Sequence, residues 1–276
     1  MKEYEKTILP HIEAIYESFT SLEKNIADFF LHNKEKTDLS SKSVAQRLYV
    51  SEATLSRFAK KCGYKGYREF IFYYEQGGSA SPQSTSSEFL KSVLNNYQEL
   101  LTKSYSLIDE GQLERVAQCL TGCKRIYIYG KGSSGLAAME MKLRFMRIGL
   151  NIEAITDGQL MRMNSVILDE HCAVIGISVS GKTAVVLEAL EMAKQRNAAT
   201  VLLTARMEKR FCDFCDEVLL IAVKESLEQG KLISPQFPVL VMVDALYAMM
   251  MRLDEARREA LHHFTMEALE DKKPHT

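Results

Sequence analysis

The side chains with the most chemistry at the closest spacing lie within residues 174–187, VIGISVSGKTAVVL. An apolar run ends in Ser178, Ser180, Gly181, Lys182 and Thr183, and a helix-forming pattern, AVVLEALEMAKQR, follows at once. A strand, a tight turn and a helix start bring short hydroxyls and unpaired backbone N–H groups to the positive end of a helix dipole. Such a junction suits a phosphate or another compact anion. A second junction of the same kind is GKGSSG at 130–135, which adds Ser133 and Ser134. The phosphate is expected between the two loops, at the start of a helix beginning near Lys182. Lys182 itself ranks below the hydroxyls, because one side chain beyond Gly181 it can equally face solvent.

Two nucleotide motifs overlap these loops. GKGSSG fits G-x-G-x-x-G with Glu153 about 20 residues on, and GISVSGKT fits G-x-x-x-x-G-K-T with an acid, Asp244, ending VLVMVD. Context argues against both. A strand running through Ile177 leaves too short a loop for a P-loop, and Asp244 falls in a helical pattern. The many hydroxyls suit one phosphate monoester better than a pyrophosphate held by backbone. A phosphosugar enzyme would need a base beside the sugar carbon. Glu140, Glu225, Glu228, His171, His262 and His263 are available, but none sits in a motif that selects it. Glu225 and Glu228 follow the last strand and are candidates for contacts to sugar hydroxyls. The pairs Cys119/Cys123 and Cys212/Cys215 lack a nearby third ligand, so ordinary thiols are expected and no metal or cofactor.

These loops need a scaffold, and the sequence supplies one. Short apolar runs at 125–130, 151–156, 172–178, 199–205 and 217–222 alternate with helical stretches, the pattern of a parallel sheet covered on both faces. Residues 88–120 read as two helices broken near Asp109, and the tail from about Pro235 to Leu269 reads as helical, with Met242, Met249, Met250 and Met251 in a core or interface. The chain has 276 residues, 46% hydrophobic and 26% charged, with a net charge of -1, so any nucleic-acid binding must rest on a local patch. No segment reads as a signal peptide or membrane span, and six cysteines without a disulfide-like framework fit a reducing cytoplasm.

Such a patch exists near the N-terminus. Residues 8–31 carry a helical apolar stripe through Ile12, Ile15, Phe19, Leu22, Ile26 and Phe29/Phe30. Ser40 or Ser41 caps KSVAQRLY, and Ser51 caps EATLSRFAKKCG, which stops at Gly63. Leu55 and Phe58 face inward, which leaves Glu52, Thr54, Ser56 and Arg57 outward, with Lys60 and Lys61 one turn on. Residues 42–68 hold seven bases, among them Lys42 and Lys65, against one acid. Short polar side chains at a helix start with bases near its end fit the DNA major groove. Tyr49 occupies a turn position that often carries Gly, which leaves the shape of that turn open. The segment GGSASPQSTSS, residues 77–87, reads as a linker, so the expected domains are 1–76, 77–87 and 88–276.

Together VSEATLSRFAKKCGYKGYREF at 50–70, GKGSS at 130–134, RIG at 147–149 and ISVSGKT at 177–183 resemble the RpiR-type bacterial transcriptional regulators. That resemblance implies an all-α helix-turn-helix domain joined to a doubly wound, mostly five-stranded parallel α/β domain of SIS type. It implies a cytoplasmic homodimer or homotetramer on a palindromic operator in double-stranded DNA, usually a repressor of sugar-catabolism genes controlled by a phosphosugar. Ser134 then matches the first-loop hydroxyl, and Ser178, Ser180 and Thr183 match the phosphate cradle. The other reading is a phosphosugar isomerase or hydrolase of SIS type.

Overall fold

The computed structural model describes residues 8–33, 38–76, 88–223 and 233–269. The chain divides into two compact units, Met1–Glu88 and Phe89–Thr276. The linker segment at 77–87 lies outside the described residues.

The first unit is helical: α1 (Ile8–Ile15), α2 (Ser21–His32), α3 (Ser41–Arg47), α4 (Glu52–Lys61) and α5 (Tyr67–Gln76). The apolar stripe at 8–31 is not one helix. A 3-10 turn at Tyr16–Ser18 breaks it, and Thr20 starts α2 through a capping box with Glu23. The break turns Leu22 out to 49% exposure, while Ile12, Ile26 and Phe30 stay in the core. Phe30 anchors that core, with its ring centroid 4.9 Å from Phe70 and 6.3 Å from Phe58. Aromatic pairs at such distances add directional contacts to the apolar area they bury.

The second unit begins with α6 (Glu88–Leu107) and α7 (Glu110–Gly122), separated at Asp109, which caps α7. There follow β1 (Arg125–Gly130), α8 (Ser133–Arg147), β2 (Ile152–Ile155), α9 (Gly158–Ser165), β3 (Cys172–Ile177), α10 (Ala184–Gln195), β4 (Ala199–Thr204), a 3-10 turn at Lys209–Asp213 and β5 (Glu217–Leu220). All strand pairs are parallel, in the order β2-β1-β3-β4-β5. One face packs on α7, α8 and a C-terminal helix through Val116, Met141, Phe145 and Met242. The other packs on α9, α10 and the 3-10 turn through Met161, Leu190 and Phe211. β3 lies between them with all six residues buried, which accounts for its unbroken apolar run.

The tail forms two helices, α11 (Phe237–Leu253) and α12 (Glu255–Glu267), where the sequence carries no turn signal. Asp254 breaks them with extended φ, and α12 is anchored by the buried Arg258, which donates to the Ile148 carbonyl at 3.1 Å and Thr121 Oγ1 at 3.0 Å. A tertiary contact of this kind overrides a helical pattern. Met242, Met249 and Met250 are buried.

Candidate functional site

The strand order reverses direction between β1 and β3, so the loops after these neighbouring strands leave one edge towards opposite faces, α8 to one side and α10 to the other. Gly130 and Ile177, the last residues of the two strands, pair in register. The crevice outside the carboxyl ends of strands at such a reversal is where open α/β sheets take ligands. It brings 131–134 and 178–183 alongside one another.

Within the second loop the hydroxyls divide the work. Ser178, 1% exposed, donates to Thr183 Oγ1 at 2.9 Å and accepts the Thr183 N–H at 3.3 Å. It braces the loop. Ser180 is half-buried and accepts the Lys182 N–H at 3.2 Å, while Thr183 is half-buried at the start of α10. Their own O–H protons remain available to an anion, as does that of the exposed Ser133 and the half-buried Ser134. Lys182 is exposed. The helix starts near this edge differ from one another. Asp157 closes α9 by accepting the Gln159 and Leu160 N–H groups, each at 2.9 Å. Neither Gly132 at α8 nor Thr183 at α10 makes a side-chain cap.

Residues that hold the second loop were not singled out by the sequence. Ala205 N–H donates to Val179 O at 3.0 Å, and Arg210 Nη2 to Gly181 O at 3.4 Å. Gly181 has φ 67°, and a Cβ there would come within 3.2 Å of Thr204 Oγ1 and Arg206 Cβ. The signal was present in ATVLLTAR: the end of a strand neighbouring β3 must border the same loop.

The nucleotide motifs dissolve into packing. Gly176, first in the P-loop pattern, sits inside β3, where a Cβ would meet Leu190 Cδ1 at 2.6 Å. Gly130 and Gly135 let β1 and α8 approach: a Cβ on Gly130 would lie 2.6 Å from Ser134 O, and one on Gly135 2.9 Å from Gly130 O. Asp244 is exposed on α11 and pairs with Arg144.

In the first unit, α3 and α4 form the helix-turn-helix. Ser40 caps α3 and Ser51 caps α4, with Thr54 N–H donating to Ser51 Oγ at 3.1 Å. Thr54 Oγ1 is 2.8 Å from Ser51 Oγ and accepts from Arg57 Nη2 at 3.3 Å, so the polar residues along the first turns form a chain. Glu52 accepts from the Ser41 hydroxyl and ties the two helices together. Ser56 is half-buried; Lys42, Arg57, Lys60 and Lys65 are exposed. Lys61 instead reaches back to Glu23 Oε2 at 2.7 Å and Ser18 O at 2.8 Å. That ammonium holds the Glu23 carboxyl below the usual carboxylate range. The turn keeps the left-handed shape despite its tyrosine: Tyr49 has φ 54°, with Val50 N–H donating to Ala45 O at 2.9 Å. This conformation costs a non-glycine residue about 1–2 kcal/mol.

Comparison with known proteins gives two matching family models, a helix-turn-helix domain of the rpiR family over residues 6–77 and a SIS domain over 119–254. An uncharacterized HTH-type transcriptional regulator of Haemophilus influenzae is 31% identical, covering 90% of this chain and 91% of its own. The chain belongs to the RpiR family. The RpiR regulator of Escherichia coli K12 is 24% identical over 90% of this chain and 87% of its own. Among solved structures, Vibrio vulnificus NanR complexed with ManNAc-6P superposes with TM-score 0.61 at 22% identity, covering 95% of this chain and 97% of that one. The sugar isomerase domain of a Sphaerobacter thermophilus RpiR transcription factor gives 0.60 at 20% identity, covering 66% and 99%. This RpiR-family chain is thus a DNA-binding transcriptional regulator with a SIS domain.

The remaining side chains of this RpiR-family regulator that were candidates for chemistry are dispersed. Glu140 is exposed two turns along α8, His171 precedes β3 at the opposite edge of the sheet, and His262 and His263 lie on α12. Glu225 and Glu228 lie outside the described residues. Cys119 and Cys123 share a thiol hydrogen bond that pulls Cys119 down to about 7 and pushes Cys123 up. Burial pushes Cys215 up to about 12, while Cys212 is exposed. Among the described residues no three His, Cys, Asp or Glu side chains group as a metal site, and no helix is long and apolar enough to cross a membrane.

Proposed function

We propose that this regulator takes a phosphorylated sugar as its effector, with the phosphate between 131–134 and 178–183, and that α4 reads the operator. The observation that carries the effector site is the contrast at the sheet edge: α9 is closed by Asp157, whereas α8 and α10, flanking the strand reversal, start without a side-chain cap. Ser133, Ser134, Ser180, Gly181, Lys182 and Thr183 face the phosphate, and Ser178 holds the loop that presents them. Hydrogen bonds to a charged group contribute roughly 1.5–3 kcal/mol each, enough for several to hold a dianion. The NanR complex with a sugar phosphate supports the ligand class.

In the DNA-reading unit, Lys42, Arg57, Lys60 and Lys65 meet phosphates or base edges, with Ser51, Thr54 and Ser56 near the groove and Lys61 and Glu52 bracing the motif. Two copies act together on a palindromic site, since one helix-turn-helix reads half of it. The exposed Phe89, Leu94, Leu101 and Tyr105 of α6 support contact between copies. In the cytoplasm the sugar phosphate relieves repression of sugar-catabolism genes, a signal that requires different affinities for the two arrangements of the protein. The attached helix-turn-helix domain supports a sensor rather than an isomerase or hydrolase.

Calorimetry with sugar 6-phosphates, their unphosphorylated parents, ATP and NAD, repeated on Ser180→Ala, tests the reading. Binding of phosphosugar alone, weakened in the variant, is expected. Tight ATP or NAD binding without a phosphosugar response contradicts it, and turnover of the sugar phosphate moves the protein to the enzymes.

A further inference from the structure

Among the described residues, four helices turn back through a positive-φ residue with the same pair of backbone hydrogen bonds: α3 at Tyr49, α4 at Gly63, α8 at Gly149 and α10 at Asn197. Three of the four use the residue types that this conformation tolerates. The exception lies in the helix-turn-helix. Tyr49 is 96% exposed, so its ring packs against nothing that would offset the strain. A backbone outlier whose side chain gives its own fold nothing points to a contact outside the fold.

Its surroundings say which contact. Tyr49 stands between Arg47 at the end of α3 and Ser51 at the cap of α4, within the basic segment and one step outside the helix that enters the groove. At that rim the nearest DNA atoms are those of the sugar-phosphate backbone rather than base edges. We propose that the Tyr49 phenol donates a hydrogen bond to a phosphodiester oxygen and so fixes the angle at which α4 enters the groove. The left-handed backbone preorganises the ring for this, projecting it away from the protein. This role rests on the reading that α4 binds DNA.

The test uses the full chain with random-sequence duplexes, and compares wild type with Tyr49→Phe, Tyr49→Gly and Lys60→Ala over a salt series. A neutral donor releases no counterion, whereas a lysine on a phosphate does. Tyr49→Phe and Tyr49→Gly are therefore expected to weaken binding about tenfold with the salt slope unchanged, while Lys60→Ala lowers the slope by about one. Tyr49→Gly should unfold at or above the wild-type temperature; a lower one would show that the fold needs the ring and would overturn the premise. Wild-type affinity in both Tyr49 variants, with Lys60→Ala still weakened, overturns the contact and leaves the DNA reading standing. Full affinity in Tyr49→Phe with loss in Tyr49→Gly overturns the hydrogen bond. Absence of salt-dependent duplex binding by the wild type removes the DNA reading and this contact together.

Discussion

The starts of α4 and α10 look alike as sequence, Ser-Glu-Ala-Thr against Ser-Gly-Lys-Thr-Ala, yet they do opposite things with their hydroxyls. At α4 the Ser51 side chain accepts the Thr54 N–H, so the helix closes its own end and presents a finished surface to a partner. At α10 the hydroxyl of Ser178 is spent on bracing the loop, and Thr183 leaves the helix start without a side-chain cap. A capped end is a stability device worth about 1 kcal/mol, while an end without a side-chain cap leaves its first-turn N–H groups, here those of Ala184 and Val185, open to an anion. Residue type does not decide between the two; backbone placement does.

The largest effect expected on this contrast comes from the backbone that sets α8 beside α10. Gly130→Ala places a Cβ 2.6 Å from Ser134 O, where only the main chain can give way. Chemical denaturation should show a loss of about 3 kcal/mol, with phosphosugar binding lost as the first loop moves. Next come the two serines. Ser51→Ala should lower stability by about 1 kcal/mol, whereas Ser180→Ala should change it by less than about 0.5 kcal/mol while weakening phosphosugar binding about tenfold. Equal stability losses in the two variants would erase the distinction between capped and open ends.

A smaller effect is pH-dependent. Because Lys61 lowers the folded-state pKa of Glu23 below its usual 4.5, the pair's stabilisation is complete above that value and is lost as pH falls through the folded one. Thermal melts between about pH 5 and pH 2 should therefore show an acid limb in wild type that flattens in Glu23→Gln. The smallest effect separates neighbouring lysines. Lys60→Ala should lower the salt slope of duplex binding by about one, and Lys61→Ala by less than half of that, since its ammonium is already paired with Glu23.

Periodicity sufficed for the sheet and most helices, because burial on both faces leaves an apolar run such as CAVIGI little choice. The strand through Ile177 and the helix cap at Ser51 were legible locally, and the first cap was narrowed to Ser40 or Ser41, of which the fold uses Ser40. What escaped was one local cap and one set of contacts distant in sequence. The capping box of Thr20 and Glu23 splits an apolar stripe that looks continuous, and Arg258 needs Ile148 and Thr121 to anchor the second tail helix. At the site, spacing grouped Ser178, Ser180 and Thr183 as equals. Only the folded chain shows Ser178 turned inward, Lys61 drawn back to Glu23 and Ser18, and Arg210 supporting Gly181.

The open helix ends are tested most directly by amide chemical shifts during a titration of the isotopically labelled full chain with a sugar 6-phosphate. The largest changes are expected at the backbone N–H groups of Gly132, Ser133, Ala184 and Val185, with those of Gln159 and Leu160, already bound by Asp157, nearly still. Changes centred on α9, or in the first unit with none at Gly132, Ser133, Ala184 and Val185, would contradict the assignment of phosphate to the ends of α8 and α10.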